Sequence, residues 1–365
     1  MNPLQAPPSL PRRRDVAHAH RARGGRVAAV LPIHAPRALL RAFGFLPIEV
    51  WGPPNVNASH AAAHLQPYVC SIVGNALSFL LSGGLDVADL VLVPHACDSL
   101  QGLGSILIDF VHPRATVLPL YLPRGQRPCD VDFLADELRA LAERLQAVST
   151  RTPTSDDLFA CIEREAQADD LLARLHEVRA RLPWSDPEIY GLLRSREFLP
   201  AEEFIPVAEA TLRQTGPAPR CGVPVLLSGI VPEPKAVLEA LRNVGVVVVG
   251  DDLACTGRRL YRRSSDPDPY RRLAESLLSG PPDPTRGSPI RDRLAHLREL
   301  AGRSGARGVI FYDVKFCEPE LFDLPRLRAG LQAAGIPSIA IEVELNDSQP
   351  HQALTRIEAF AEMLA

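Results

Sequence analysis

The chain has 365 residues, of which 46% are hydrophobic and 23% charged, so it is long enough for two or three globular domains with proper cores. Its formal net charge of −3 gives no reason to expect binding to nucleic acid or to a membrane surface. No secretory signal and no apolar run long enough to cross a bilayer is visible. We therefore expect a cytoplasmic protein whose seven cysteines are packing residues, metal ligands or reactive thiols.

The first half of the chain alternates between strand and helix patterns. Residues 1–25 lack apolar periodicity and are predicted to form a flexible basic tail. Residues 26–150 are predicted to form a first α/β domain, because such an alternation favours a parallel sheet with helices on both faces. Its predicted strands are 27–33, 46–50, 88–93 and 116–121, and its predicted helices are 36–44, 69–81, 100–110 and 131–148.

The second half repeats this order after a helical stretch. Residues 151–215 carry no clear strand and are predicted to form a helical insertion between the two halves. Residues 216–365 are predicted to form a second α/β domain, in which the apolar run 244–249 is typical of a central parallel strand. Its strands are predicted at 225–230, 244–249, 308–314 and 338–343, with helices at 234–242, 270–278, 289–303, 321–334 and 351–364.

Four of the seven cysteines follow predicted strands. In open α/β sheets ligands gather at the carboxyl ends of the strands, and thiolates are soft ligands that suit iron–sulfur clusters and zinc. If the two domains face each other across a cleft, these thiols could converge there; the alternative is that they pack as small apolar side chains. The four are Cys70, Cys97, Cys255 and Cys317.

Two histidines, His34 and His95, flank the same predicted edge of the first sheet. A histidine in this position could donate a proton to a substrate or hydrogen-bond a cluster sulfur, and a loop histidine bonded to backbone is the alternative. Asp251 and Asp252, at the end of a predicted strand, are expected to cap the following turn through local hydrogen bonds.

Four segments in the same order resemble the 2-hydroxyacyl-CoA dehydratase / benzoyl-CoA reductase family: PYVCSIV, VPHACDSLQGL, VVVVGDDLACTGRRL and VKFCEPELFDLPRLRAGLQAAGIPSIAIEVE. The resemblance extends from Val27 to the C-terminus. It implies two Rossmann-like domains and a [4Fe–4S] cluster between them. Matched residue by residue, the cluster ligands would be Cys70, Cys97 and Cys317, which leaves one iron open.

The resemblance also implies an activity and partners. The family uses low-potential electrons in an anaerobic chemistry that dehydrates 2-hydroxyacyl-CoA esters or reduces aromatic acyl-CoA. The electron comes from a separate ATP-hydrolysing iron–sulfur activator, and consistently this chain has no GxxxxGK[ST] phosphate loop. The family commonly pairs two homologous subunits, so either a heterodimer or a homodimer is expected.

Several alternatives remain open at this point. Cys255 is a fourth ligand or, as we prefer from the resemblance, a free thiol beside the cleft. The basic run Arg258, Arg259, Arg262 and Arg263 is expected to be a solvated face, with CoA phosphates as the alternative ligand. The chain as a whole could also carry a larger cluster that acts on small molecules, serve only as an electron-relay or partner subunit, or be a binding protein whose cysteines pack.

Overall fold

The computed structural model describes residues 6–347 and 350–365. Two four-stranded sheets, both entirely parallel, have the same topology, with strand orders β2-β1-β3-β4 and β6-β5-β7-β8. The predicted α/β class is confirmed, and every predicted strand is present. The strands are β1 Arg26–Val30, β2 Phe45–Glu49, β3 Leu90–His95, β4 Thr116–Tyr121, β5 Val223–Gly229, β6 Val246–Leu253, β7 Gly308–Val314 and β8 Ser338–Val343.

The helices flank the two sheets and fill the segment between them. None of those within residues 6–347 and 350–365 is long and apolar enough to cross a membrane. The helices are α1 Arg13–Ala22, α2 Arg37–Ala42, α3 Ser59–Ala62, α4 Ser71–Leu81, α5 Asp98–Ile106, α6 Pro128–Val148, α7 Ser155–Val178, α8 Asp186–Ser195, α9 Ala201–Leu212, α10 Lys235–Asn243, α11 Pro269–Leu278, α12 Ile290–Ser304, α13 Glu318–Ala333 and α14 His351–Leu364.

The N-terminal segment differs from the flexible tail that its composition predicts. Helix α1 occupies 10 of its residues, and Val16 and Ala17 are buried against the first domain. The guanidinium of Arg13 donates hydrogen bonds to the carboxylate of Glu197 and to the backbone carbonyl of Glu49. Partners far along the chain therefore order this basic helix. The first five residues of the predicted tail lie outside the described part.

Strand β6 is fully buried as predicted, but it lies at the edge of its sheet rather than at the centre. The helical segment covers its free edge. The backbone N–H of Val248 donates to a carboxylate oxygen of Asp186 at 3.1 Å, and Arg220 in turn binds Asp186 at 2.6 Å. A covered edge strand is apolar on both faces, so its sequence cannot be distinguished from that of a central strand.

The connections place a switch point in each sheet. From β1 the chain moves outward to β2 and then crosses to β3 on the other side of β1, and β5, β6 and β7 repeat this path. Ligands bind at the carboxyl ends of strands at such switch points. One continuous hydrophobic core joins both sheets and α7–α9. In addition, helix α11 of the second half packs its Leu273, Leu277 and Leu278 against α6 of the first domain.

Candidate functional site

Three of the four strand-following cysteines begin helices. Cys70 is the N-cap residue of α4, Cys97 of α5 and Cys317 of α13. Cys97 follows β3 and Cys317 follows β7, so these two lie at the two switch points; Cys70 follows the loop after β2. Both domains thus deliver a thiol on a helix N-terminus, where backbone N–H groups and the helix dipole favour negative charge.

The three thiols act on one another electrostatically. Burial raises the pKa of Cys70 to about 12, with Cys97 contributing in the same direction. Burial also raises the pKa of Cys317, and both Cys70 and Cys97 add to the increase. Burial is likewise the main cause of the raised pKa of Cys97. The three thiols are therefore within electrostatic range of one another across the two domains. Their surroundings are called the thiol crevice below, and ionising all three thiols there would require a cationic partner.

Backbone N–H groups at the three helix N-termini oppose these increases. Those of Ile72 and Val73 lower the pKa of Cys70, those of Ser99 and Leu100 lower that of Cys97, and that of Glu320 lowers that of Cys317. Among the described residues, no three His, Cys, Asp or Glu side chains are grouped as ligands of a single metal ion. Three thiolates around a crevice instead suit a multinuclear core, whose corners take one soft ligand each.

His34 lies in the loop after β1, at the switch point of the first sheet. It is buried, and both it and Ile33 have left-handed backbone (φ +56° and +80°), which is unusual for residues other than glycine. Its Nδ1 lies 3.4 Å from the hydroxyl of Tyr261, and its Nε2 lies 3.5 Å from Oδ2 of Asp283. The alternative of a loop histidine bonded to backbone does not describe these side-chain contacts.

His95 ends β3, two residues before Cys97. Its ring lies edge-on to Tyr121 with centroids 4.7 Å apart, and neither ring nitrogen has a hydrogen-bond partner among the described residues. Burial lowers its pKa. A Cβ added at Gly104 would come within 3.0 Å of Nε2, so this glycine leaves space for the ring. His95 therefore stays a candidate for bonding a group held by Cys97, two residues away.

A buried ion network supports the helix of Cys317, and it was not predicted. Arg258 is fully buried; its guanidinium donates to Asp252 at 3.1 and 3.2 Å and to Glu320 in the first turn of α13. Glu320 also accepts a hydrogen bond of 2.8 Å from Arg293 of α12. The network fixes the start of α13, and with it the position of Cys317.

The expected solvated face at 258–263 is thus wrong for its first two arginines. Arg259 donates to both carboxylate oxygens of Glu49, at 2.5 and 3.0 Å, which joins the second domain to the end of β2. Since carboxylates occupy both guanidinium groups, neither is available for CoA phosphates. The capping expectation for Asp251 is confirmed, because its Oδ1 accepts from the backbone N–H of Leu253 at 3.2 Å and of Gly257 at 2.9 Å.

The similarity of this chain to known proteins extends over nearly its whole length. A model of the 2-hydroxyglutaryl-CoA dehydratase, D-component, family matches residues 32–364. The chain belongs to this family. It is 26% identical over 348 residues to the (R)-phenyllactyl-CoA dehydratase beta subunit of Clostridium sporogenes, covering 93% of this chain and 92% of the relative. It is 27% identical over 352 residues to one of the subunits of the benzoyl-CoA reductase of Thauera aromatica, covering 93% and 91%.

A third relative of this dehydratase-family chain is the beta subunit of (R)-2-hydroxyglutaryl-CoA dehydratase from Acidaminococcus fermentans, which is 25% identical over 362 residues and covers 94% of each chain. All three relatives are named as subunits of dehydratases or of a reductase. This chain is accordingly an enzyme subunit of the dehydratase type. Helix α1 precedes the segment that the family model matches.

Cys255 has different surroundings from the other three thiols in this family member. It is completely buried in the shared hydrophobic core, and burial raises its pKa. After burial, the groups that act most strongly on it are Arg194, Glu197 and Asp251 rather than the other cysteines. These surroundings favour a packing role over that of a fourth ligand or a thiol open to the cleft.

Asp313 on β7 gives a pH prediction. Burial, with Glu320 acting in the same direction, raises its pKa to about 7, and its Oδ1 has no hydrogen-bond partner among the described residues. Because the unfolded carboxyl titrates near pH ~4, the native state binds the extra proton, and this contribution to stability is lost as the pH rises from ~4 through ~7.

We therefore expect Asp313→Asn to gain stability relative to wild type as the pH rises. Between pH 4 and pH 8 the difference between their free energies of unfolding should change by on the order of 4 kcal/mol in favour of the variant. Urea unfolding of both proteins across this range measures the change. A difference that stays constant with pH would contradict the raised pKa.

Proposed function

We propose that this chain is the iron–sulfur subunit of a 2-hydroxyacyl-CoA dehydratase-like or aromatic acyl-CoA reductase-like enzyme, with a [4Fe–4S] cluster held by Cys70, Cys97 and Cys317. The observation that carries the proposal is that three cysteines from both domains, each on a helix N-terminus, act electrostatically on one another; Cys70 and Cys317 are buried and Cys97 is half-buried. When bound, such a cluster would supply a single low-potential electron to the carbonyl of an acyl thioester. The family match and the names of its relatives support this chemistry.

The chain's own residues have distinct roles in this proposal. The three thiolates hold the cluster, and the helix N-termini stabilise its negative charge. Burial of Cys70 and Cys317 keeps water away from two of the ligands. His34 would hold a proton beside the crevice, and His95 would donate a hydrogen bond to a bound group. Arg258 and Glu320 position Cys317 without touching the substrate.

The partners follow from the same proposal. The substrate would be an acyl-CoA thioester, and the electron would come from a separate ATP-hydrolysing iron–sulfur activator. A homologous second subunit is the expected partner, because the relatives are named as individual subunits of their enzymes. A cytoplasmic location is part of this proposal, since free thiols at all seven cysteines are typical of proteins from reducing compartments.

Anaerobic purification followed by iron and sulfide analysis tests the proposal. Wild type should bind about four iron atoms per chain and show the absorption of an iron–sulfur protein. Each of Cys70→Ala, Cys97→Ala and Cys317→Ala should lower the iron content severalfold, because two thiolates hold the cluster poorly. Cys161→Ala on α7 is the matched control and should retain the wild-type content.

Three outcomes would change the assignment. A colourless wild type without iron would indicate a binding protein whose cysteines pack. About eight irons per chain would favour the larger cluster of a reductase that acts on small molecules. Equal loss of iron from Cys161→Ala and from the three thiol variants would mean that the substitutions lower iron content by destabilising the fold rather than by removing ligands.

The names of the relatives as individual subunits favour one further candidate: a subunit that relays electrons while its partner binds the substrate. Titration of acyl-CoA into this chain alone and into the paired enzyme separates the two. Substrate-dependent changes in the cluster spectrum of this chain alone support a catalytic role, whereas changes seen only in the pair support the relay.

A further inference from the structure

A line of three side chains, Asp283, His34 and Tyr261, joins the two halves of the molecule beside the thiol crevice. His34 lies in the loop after β1 of the first domain, and the other two belong to the second half. Asp283 is fully buried, and its Oδ1 accepts from the backbone N–H and hydroxyl of Thr285 at 2.8 and 2.7 Å. These two hydrogen bonds fix the carboxylate, and its Oδ2 remains directed towards His34.

The charges around His34 determine which nitrogen carries its proton. Burial lowers the pKa of His34, so the ring is neutral. Burial opposes ionisation of Asp283, but contacts with His34 and Arg258 bring its pKa well below the usual range, so it is a carboxylate. The single ring proton is therefore on Nε2, which faces Asp283, and Nδ1 accepts from the hydroxyl of Tyr261.

At the inner end of this line, two buried polar atoms face each other without an aligned hydrogen bond. Nε2 of His34 and Oδ2 of Asp283 are 3.5 Å apart, and neither has an aligned hydrogen-bond partner in the described part of the chain. Two buried polar atoms in that condition are costly unless a further group bonds them. Asp283 also raises the pKa of Cys97, so these two groups are within electrostatic range of each other.

The outer end of the line reaches a water-sized space. Tyr261 and His34 line a cavity of about 70 Å³, large enough for a small number of water molecules. Charged side chains, including Glu163, Arg263 and Arg272, line the same cavity, and Glu163 and Arg263 are exposed at the surface. Water in the cavity can therefore exchange protons with solvent at one end and with the phenol at the other.

We propose that Tyr261, His34 and Asp283 form a proton path that connects the surface cavity to the thiol crevice. This inference rests on the proposed function for its substrate, an acyl thioester with a departing hydroxyl group. Asp283 and Tyr261 are positioning and relay residues in it, and His34 is the group that reaches the substrate. Ile33 and His34 have left-handed backbone, which the surrounding structure must stabilise, and such strain is concentrated at functional sites.

The protons moved along this path balance over one dehydration. Nε2 of His34 gives its proton to the departing hydroxyl, which leaves as water, and Nδ1 takes the proton of Tyr261. Nε2 then takes the proton lost from the neighbouring substrate carbon, and Nδ1 returns its proton to the Tyr261 oxygen. One water is formed, the ring regains its first tautomer, and cavity water buffers the phenol between the two transfers. Asp283 stabilises the ring whenever it carries both protons.

The tautomer of His34 tests the path without substrate or turnover. In 15N spectra of the full-length chain labelled at histidine, with the signal assigned through His34→Gln, Nε2 should be protonated and Nδ1 unprotonated at neutral pH. Tyr261→Phe should shift the Nδ1 signal, since it loses a hydrogen bond, and Asp283→Asn should move proton occupancy towards Nδ1. Tyr270→Phe, which removes a hydroxyl from α11, should change neither signal.

A His34 ring protonated mainly on Nδ1, or an Nδ1 signal unaffected by Tyr261→Phe, would overturn the path. In the assembled holoenzyme, Tyr261→Phe should lower kcat about 10- to 100-fold, leave KM for the acyl thioester unchanged and raise the solvent isotope effect. Unchanged kcat and isotope effect would also overturn it. A wild-type enzyme without a cluster or without any turnover would instead refute the proposed function. The tautomer result would still decide whether the hydrogen-bonded path exists.

Discussion

Arg258→Met is expected to lower the free energy of unfolding by about 3–5 kcal/mol. The variant removes the cation from a fully buried cluster, which deprives Asp252 and the nearby Asp283 of this charge and leaves Glu320 with Arg293 alone. Methionine fills a similar volume, so lost packing contributes little. Urea denaturation of the purified full chain measures the change, and the loss should be accompanied by weaker iron binding because Glu320 anchors the helix of Cys317.

Arg263→Met is the matched control. Arg263 belongs to the same basic run and also contacts two carboxylates, those of Glu163 and Asp170, but all three side chains are largely exposed. Exposed pairs contribute only about 0.2–1 kcal/mol. Equal effects of the two variants would show that burial does not strengthen the Arg258 cluster, and the supporting role we assign to it would be wrong.

Gly52→Ala is expected to disturb Cys70 from a distance. Gly52 has a left-handed backbone (φ +66°), and an added Cβ would lie 2.3 Å from the carbonyl oxygen of Ile72, in the first turn of α4. Backbone strain alone costs about 1–3 kcal/mol, and the clash with backbone forces the start of α4 to move. The variant should therefore be less stable and should bind iron less well than wild type.

Gly83→Ala is the control that separates the cost of backbone strain from the displacement of α4. Gly83 lies just beyond the other end of α4 with a similar backbone (φ +81°), but its added Cβ would meet only the side chain of Asp86, at 3.1 Å, which can move away. Both variants carry the conformational cost, so their stabilities should both fall. Only Gly52→Ala should lose iron, and equal iron contents in the two variants would contradict the predicted displacement of Cys70.

The fold was largely accessible from hydrophobic patterning. Strands β4, β7 and β8 and helix α14 begin and end at the predicted residues, because turn signals and apolar runs mark their limits clearly. Strand β6 shows the limit of such reasoning: VVVVGDDL is uniformly buried, and only the tertiary position of Asp186 reveals that it is an edge. Helix α1 was not predicted for a related reason, since Glu197, which pairs with Arg13, is far away in the chain.

The candidate site was accessible only in part. Cys97 and Cys317 follow β3 and β7 at the switch points of the two sheets, as the predicted strands indicated. The partners of Arg258 were not accessible, since Glu320 lies 62 positions away and burial of a charge depends on the whole fold. One signal was present in the sequence. An acidic pair ends an apolar strand and is followed by GRR, and charges at the end of a buried strand need internal partners. Composition alone would assign these charges to the surface.

Helix α11 has a mechanical consequence for the crevice. It belongs to the second half of the sequence but is fastened to α6 of the first domain by a leucine interface and by the ion pair between Arg139 and Asp268. Rotation of one sheet away from the other would have to break the interface between α11 and α6. We therefore expect the two domains to move as one unit rather than to open and close about a hinge.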